Sequence, residues 1–80
     1  MKYTDIQYYD TYSILVLNIN SRLRRLYCPF MVVCEKSIGE IQKNSCVYVD
    51  EVFKDPSYLI CYKIGGKTYP YFNFRISINF

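Results

Sequence analysis

The sequence of 80 residues contains no histidine and no tryptophan, and it has only three glycines and three prolines. Histidine is the commonest general base and a leading metal ligand in proteins. Its absence therefore argues against acid–base catalysis and against a zinc site.

Long apolar runs are also missing. The longest ones, Ile14–Leu17 and Phe30–Cys34, are far shorter than the roughly 20 residues that cross a bilayer as a helix. Asp5 and Asp10 stand where a signal peptide would be basic and then apolar. We expect a cytoplasmic protein without a membrane partner.

Aromatic residues, by contrast, are abundant. Ten tyrosines and five phenylalanines bring the aromatic fraction to 19%, and 51% of the residues are hydrophobic. A disordered chain has too little apolar surface to offset the entropy lost on folding, and this composition excludes that class. A chain of this length forms one domain, which we take as residues 1–80. Its net charge is +3.

The four cysteines are Cys28, Cys34, Cys46 and Cys61. They form no CxxC pair and have no histidine to complete a zinc site, so we predict neither a metal nor a cofactor. Two disulfides would suit a secreted chain of this length. Without a signal peptide, reduced and buried thiols are the favoured interpretation.

The clearest local pattern is a hairpin followed by an alternating segment. Gly65-Gly66 separates two β-rich segments, and two consecutive glycines suit a tight turn that needs positive φ at both positions. This loop makes Tyr62 oppose Tyr69, and Ile60 would oppose Tyr71 if pairing continued past Pro70. Residues 71–80 alternate strictly, which predicts a half-buried strand.

The two faces of this hairpin differ in composition. Leu59, Cys61 and Phe72 form a purely apolar face, which we expect to be the core. Tyr62 and Tyr69 lie on the other face, which is too aromatic to remain in water without a cover or a partner.

Two further strands are predicted at residues 30–35 and 45–53, both rich in Val, Tyr or Phe. Residues 1–27 fit two interpretations. Apolar residues spaced by threes and fours favour a helix, and these are Tyr9, Tyr12, Val16, Ile19, Leu23 and Leu26. The β-rich run Tyr12–Ile19 instead favours two strands with a turn near Asn18–Ser21.

From Pro29 to Ile78 this pattern resembles the small SH3-like β-barrel proteins of bacteriophages and prophages. The resemblance rests on the strand Phe30–Cys34, the loop with Gly39 and Lys43, the strand Val47–Val49, the hairpin Tyr62–Tyr69 and the closing Tyr71–Ile76. It implies a small antiparallel barrel of about five strands at residues 28–80, and a phage or prophage origin. Residues 1–27 lie outside the resemblance, and with the helix that their apolar spacing favours, we expect an α+β chain that is mainly β and has a helical N-terminal extension.

No constellation predicts a catalytic site. Asp50 and Glu51 are adjacent, so in a strand they point to opposite faces and cannot share a reaction. Cys34 or Cys61 as a nucleophile would lack an imidazole to deprotonate it. We predict that the protein is not an enzyme.

The strongest basic feature is the run containing Arg22, Arg24 and Arg25. In a helix, Arg22 and Arg25 would share a face. They would either favour the dipole at the helix C-terminus or recognise phosphate or carboxylate groups.

A second candidate binding set combines tyrosines that could stack on bases with flanking cations. Its members are Tyr62, Lys63, Lys67, Tyr69 and Tyr71. The alternative is that these tyrosines pack under the N-terminal segment.

Two functions are consistent with these features. The first is a non-catalytic protein that docks on a larger host protein or ribonucleoprotein. The resemblance extends this to an anti-CRISPR-like inhibitor of a defence nuclease. The second is a stand-alone RNA- or DNA-binding module, although a pI of 8.7 is slightly below the usual footprint of such modules. A homodimer that pairs the aromatic faces is a further alternative.

Overall fold

A computed structural model of the chain describes residues 5–17, 20 and 22–76. The described residues form nine short strands and one turn of 3₁₀ helix. In chain order these are β1 (Asp5–Asp10), β2 (Ser13–Leu17), β3 (Leu23–Tyr27), β4 (Phe30–Cys34), β5 (Cys46–Val49), β6 (Glu51–Asp55), β7 (Leu59–Ile64), β8 (Lys67–Pro70), the 3₁₀ helix (Tyr71–Asn73) and β9 (Phe74–Ile76).

The strands form three antiparallel sheets of three strands each. Their orders are β1-β2-β3, β5-β4-β9 and β6-β7-β8. The predicted α+β chain with one barrel of about five strands is therefore wrong, and the fold is nearly all β.

The predicted N-terminal helix is also wrong, because β1, β2 and β3 form a three-stranded sheet in this part of the chain. Ile14 opposes Leu26, and Val16 opposes Ile6. Ile14 and Val16 are both fully buried on β2. Their spacing of two residues is the side-chain period of a strand. Tyr9, Tyr12 and Leu23 of the expected helical stripe are more than half exposed, and Ile19 lies outside the described residues.

A side-chain turn explains why this segment does not continue as a helix. The Asp10 carboxylate accepts a hydrogen bond from the Tyr12 amide at 2.9 Å and another from the Ser13 hydroxyl at 2.8 Å. Aspartate contacts of this kind stabilise turns in competition with the helix. The structure instead has strands in this segment, as the alternative interpretation predicts. β2 and β3 are the two strands of that interpretation, and β1 precedes them.

The Gly65-Gly66 hairpin is confirmed, with Tyr62 opposite Tyr69. Both glycines have positive φ, +58° and +82°, as a two-residue turn requires. Pairing stops at Pro70, so Tyr71 starts the 3₁₀ helix instead of opposing Ile60. The predicted strand over 71–80 is reduced to Phe74–Ile76, and residues 77–80 lie outside the described residues.

The predicted core face of this hairpin is the wrong one. Leu59 is 68% exposed and Phe72 is 58% exposed, although Cys61 is buried. Tyr62 and Tyr69 are buried, and the Tyr62 ring lies 5.6 Å from that of Phe30. The tyrosine-rich face is therefore the core, and the chain itself provides its cover.

The predicted strand over residues 45–53 divides in two. Val49 and Val52 are both fully buried although they are three positions apart, so the alternation changes phase at Asp50. As a result β5 pairs with β4, and β6 pairs with β7. The strand predicted at residues 30–35 is confirmed as β4.

One hydrophobic core joins the three sheets. Each sheet contributes residues to it, and the buried members are Ile14, Val16, Leu26, Phe30, Val32, Cys34, Val49, Val52, Ile60, Tyr62, Ile64, Tyr69, Phe74 and Ile76.

Candidate functional site

The structure does not bring the predicted hairpin set together on one surface. Tyr62 and Tyr69 are buried in the core, where neither can stack on a ligand. Tyr71 is half-buried in the 3₁₀ helix. Lys63 lies 3.7 Å from Glu51, and Lys67 lies 3.8 Å from the exposed Glu40.

The arginine run lies on and just before β3, not on a helix. Arg22 precedes the strand, and both Arg22 and Arg24 are exposed. Arg24 opposes Val16, whereas Arg25 opposes Leu15, so Arg24 and Arg25 project to opposite sides of the sheet. The predicted helical face shared by Arg22 and Arg25 does not exist.

Arg25 contacts both aromatic and polar side chains. It lies on the outer face of the N-terminal sheet, where its guanidinium is 3.7 Å from the centre of the Tyr9 ring and 4.7 Å from that of Tyr27. These distances are within the range of cation–π interactions. The side chain is therefore held between two aromatic rings.

Polar contacts hold the same guanidinium from a third direction. Its Nη2 donates to Oδ2 of Asp10 at 3.1 Å, and its Nε donates to the Ser13 hydroxyl at 3.1 Å. Since Ser13 in turn donates to Asp10, the three side chains form a closed network across β1, β2 and β3. Two hydrogen bonds and two ring contacts together favour one orientation of the Arg25 side chain.

The backbone explains why these side chains meet. Tyr8 opposes Ile14 and Asp10 opposes Ser13, so Tyr9 is the extra residue of a β-bulge. A bulge redirects side chains at the end of a strand. It places both Tyr9 and Asp10 beside Arg25.

The electrostatics of this site favour the charged pair. The hydroxyl of Ser13 and the amide of Tyr12 lower the pKa of Asp10, and the Arg25 charge lowers it further. Asp10 therefore stays ionised well into the acidic range and keeps its contact with Arg25.

Around Arg25 the outer face is apolar and open to solvent. Tyr9 is 51% exposed, Leu23 64% and Tyr27 62%. We call these four residues, Tyr9, Leu23, Arg25 and Tyr27, the Arg25 face.

Sequence reasoning missed five members of the site, which are Tyr9, Asp10, Ser13, Leu23 and Tyr27. A period of two was present in Leu23, Arg25 and Tyr27, and it would have placed them on one side of a strand. The helical interpretation of the same segment concealed it.

The cysteines are free thiols in different environments. Cys34 and Cys61 are buried, Cys28 is half-buried and Cys46 is exposed. Burial and the neighbouring Asp50 raise the pKa of Cys28 to about 11, and burial raises that of Cys61. A thiolate nucleophile needs the opposite shift.

Within the described ranges, no three cysteine or carboxylate side chains are grouped as metal ligands would be. In the same part of the chain, no helix has the length and apolar character that crossing a membrane requires. Comparison with protein-family models, with curated proteins and with solved structures gives no match.

Proposed function

We propose that this protein is a non-catalytic binding protein that docks on another protein through the Arg25 face. The observation that carries the proposal is the arginine fixed between two exposed tyrosines. Tyrosine and arginine are, with tryptophan, the residues enriched among the side chains that dominate protein–protein binding energy. Because Arg25 is already ordered, the protein would lose little side-chain entropy on binding.

Charge favours an acidic partner. The chain carries a net charge of +3, and three of its arginines lie at residues 22–25, on β3 or just before it. As β3 pairs only with β2 among the described strands, its positive charge lies along one border of the proposed face. Complementary charge accelerates association and selects the partner.

An RNA-binding module is the second candidate, and the exposed rings of Tyr9 and Tyr27 are what favours it. Stacked bases gain about 1–3 kcal/mol each on such rings. Such modules also need unpaired cations beside the rings to follow the phosphate backbone, whereas the cation between Tyr9 and Tyr27 is already paired with the Asp10 carboxylate at 3.1 Å. This is why we place protein docking first.

Inhibition of a nuclease remains a prediction. It followed from the resemblance to five-stranded barrels, and the arrangement of nine strands in three sheets does not support that resemblance. No described contact favours a nuclease over another protein.

Affinity capture from an extract of the cells that produce the protein tests the proposal. The test variant is Leu23→Asp, which places a negative charge on the Arg25 face, two residues from Arg25 along β3. Tyr48→Asp is the matched control, because Tyr48 is similarly exposed at 59% but lies on β5 in a different sheet. Both substitutions are at exposed positions, so each should change stability by less than about 0.5 kcal/mol.

We expect the wild type and Tyr48→Asp to retain the same partner, and Leu23→Asp to bind it about 30-fold more weakly. That factor corresponds to the loss of roughly 2 kcal/mol at a dominant contact. Equal retention by all three proteins would refute the assignment of the face. A partner lost after ribonuclease treatment, with affinity falling steeply as salt rises, would favour the RNA-binding module instead.

A further inference from the structure

An open groove lies between two edge strands on another part of the surface. Among the described strands, β1 pairs only with β2, and β6 pairs only with β7. The groove has a volume of about 560 Å³, within the range of ligand-binding clefts. Its lining residues are Ile6, Gln7, Tyr8, Lys54, Asp55, Pro56, Leu59 and Ile60.

A hydrogen bond joins the two sheets beside the groove. The Val52 amide donates to the Thr11 carbonyl at 2.7 Å, which joins the two sheets at one end. From this hydrogen bond β1 and β6 run in opposite directions, and residues further along both strands line the groove. The Lys54 ammonium on β6 lies 5.4 Å from the centre of the Tyr8 ring on β1.

The edge of β1 suits an added strand. An edge strand presents main-chain donors and acceptors on the side away from its partner, and extended peptides bind such edges as additional strands. β1 has six residues. The edge of β6 is less suitable, because the strand is followed directly by Pro56, which has no amide hydrogen.

Leu59 provides an apolar contact at this site and is held there under strain. Its φ is +70°, and the Ile60 amide donates to the Tyr58 carbonyl across it at 2.8 Å. A leucine rarely adopts this tight turn. Leu59 is nevertheless 68% exposed, so burial within the described chain does not compensate for the strain. Strained residues of this kind cluster at ligand-binding positions.

The charges of the lining are not equivalent. The Asp55 carboxylate accepts hydrogen bonds from the amides of Ser57 and Tyr58, both at 2.8 Å. Lys54 has no carboxylate partner among the residues that the structure describes. The lining thus offers one available cation and a net charge of zero, which suits an acidic side chain better than a nucleic acid backbone.

We propose that this groove binds an extended peptide segment of another protein, which adds to the edge of β1. An apolar side chain of the peptide packs against Leu59, and a carboxylate of the peptide faces Lys54. The groove is formed by residues outside the Arg25 face, so this proposal does not depend on docking through that face.

A random heptapeptide display library screened against the full chain provides the test. We expect the enriched peptides to alternate apolar and polar residues and to contain at least one acidic residue. Binding of the best synthetic peptide is then measured by amide NMR, where shifts at Ile6, Gln7, Tyr8 and Lys54 locate it. N-methylation at alternate peptide residues removes one row of main-chain donors and should weaken binding at least 10-fold.

Two variants of the protein distinguish specific binding in the groove from non-specific binding to the protein surface. Lys54→Glu should reverse the charge preference, so that a lysine-for-glutamate version of the peptide binds better than the original. Leu59→Gly removes both the strain and the apolar contact, so it should raise the melting temperature while weakening peptide binding at least five-fold.

Several results would overturn the proposal. They are no enrichment, binding that tolerates N-methylation, and affinity that is unchanged in Lys54→Glu. NMR shifts at these amides with a uridine oligonucleotide but not with the peptides would assign the groove to RNA. A concentration-dependent dimer in sedimentation, lost in Lys54→Glu, would assign it to a second copy of this chain.

Discussion

The guanidinium of Arg25 lies 3.7 Å from the centre of the Tyr9 ring. Fifteen residues or more separate Arg25 in sequence from both Tyr9 and Asp10, and the three meet because β1 and β3 flank β2 in one sheet. Arg25 is thus fixed before any partner arrives. Its planar, delocalised charge is what allows it to satisfy two rings and a carboxylate at once.

Arg25→Lys should weaken partner binding about 10-fold, or about 1.4 kcal/mol, while preserving net charge. Lysine is a compact cation that cannot donate to both Asp10 and Ser13 while stacking on Tyr9. The stability cost should be below about 1 kcal/mol, because the pair is partly exposed and screened by solvent. Arg24→Lys, on the opposite side of the same strand, is the control, and equal losses for both would contradict the assignment.

Asp10 should titrate below the ordinary value of an aspartate, since the Ser13 hydroxyl, the Tyr12 amide and Arg25 all favour its ionised form. Its folded pKa lies below its unfolded one, so its contribution to stability is present above the unfolded pKa and is lost as the pH falls through the folded pKa. Carboxyl-carbon NMR measures this directly. Ser13→Ala should raise the pKa of Asp10, and an unchanged value would show that the hydroxyl contact is absent in solution.

Tyr62→Phe should leave the free energy of unfolding unchanged or raise it by up to about 1 kcal/mol. The Tyr62 hydroxyl is buried and has no hydrogen-bond partner among the described residues, and burial raises the pKa of this side chain. Removing an unsatisfied polar atom takes away a desolvation penalty. Tyr62→Ala should instead lose about 3–5 kcal/mol, because it leaves a cavity in the core. Denaturant unfolding compares the two, and a loss above 1 kcal/mol for phenylalanine would reveal a partner for the hydroxyl.

Gly39→Ala should destabilise the fold more than Gly65→Ala. Both glycines have similar positive φ, +55° and +58°, where alanine costs about 1–2 kcal/mol. At Gly39 an added Cβ would also lie 3.2 Å from Cε1 of Tyr69, whereas at Gly65 it would meet nothing within 4 Å. Since the Tyr69 ring packs against Phe74 at 6.1 Å, it cannot withdraw freely. Equal losses of unfolding free energy would mean that backbone strain alone acts at both sites.

The hairpin was predictable because its signals are local. Two adjacent glycines permit the positive φ values of the turn, and they fix the register that sets Tyr62 opposite Tyr69. The sequence also contains a signal for the boundary between β5 and β6. Val47 and Val49 are two residues apart, as in a strand, but Val52 follows Val49 by three and so falls out of that alternation.

The identity of the core face could not be derived in this way. Alternation shows which residues share a face, but what covers a face depends on distant strands. A tyrosine is compatible with either side, because its ring is apolar and its hydroxyl is polar. Tyr62 is an example. The aromatic composition of its face predicted a surface that something else must cover, yet Tyr62 is fully buried in the core.

The N-terminal sheet was missed for a similar reason. The spacing of Tyr9, Val16 and Leu23 matches a helix by coincidence, and only Val16 is buried. Ile14 and Val16 pack against the rest of the core, and this packing stabilises strands in the segment. Such tertiary contacts override weak local propensity. The environment of Arg25 was lost with that error, because its contacts are made between strands.

Radical footprinting of the aromatic and leucine side chains, with and without the captured partner, tests the docking claim most directly. Tyr9, Leu23 and Tyr27 are exposed in the free protein, and so are Tyr48 and Phe72 on other elements. We predict that bound partner lowers the oxidation of the first three and leaves the other two unchanged. Protection of Tyr48 or Phe72, with Tyr9, Leu23 and Tyr27 oxidised as in the free chain, would contradict docking through the Arg25 face.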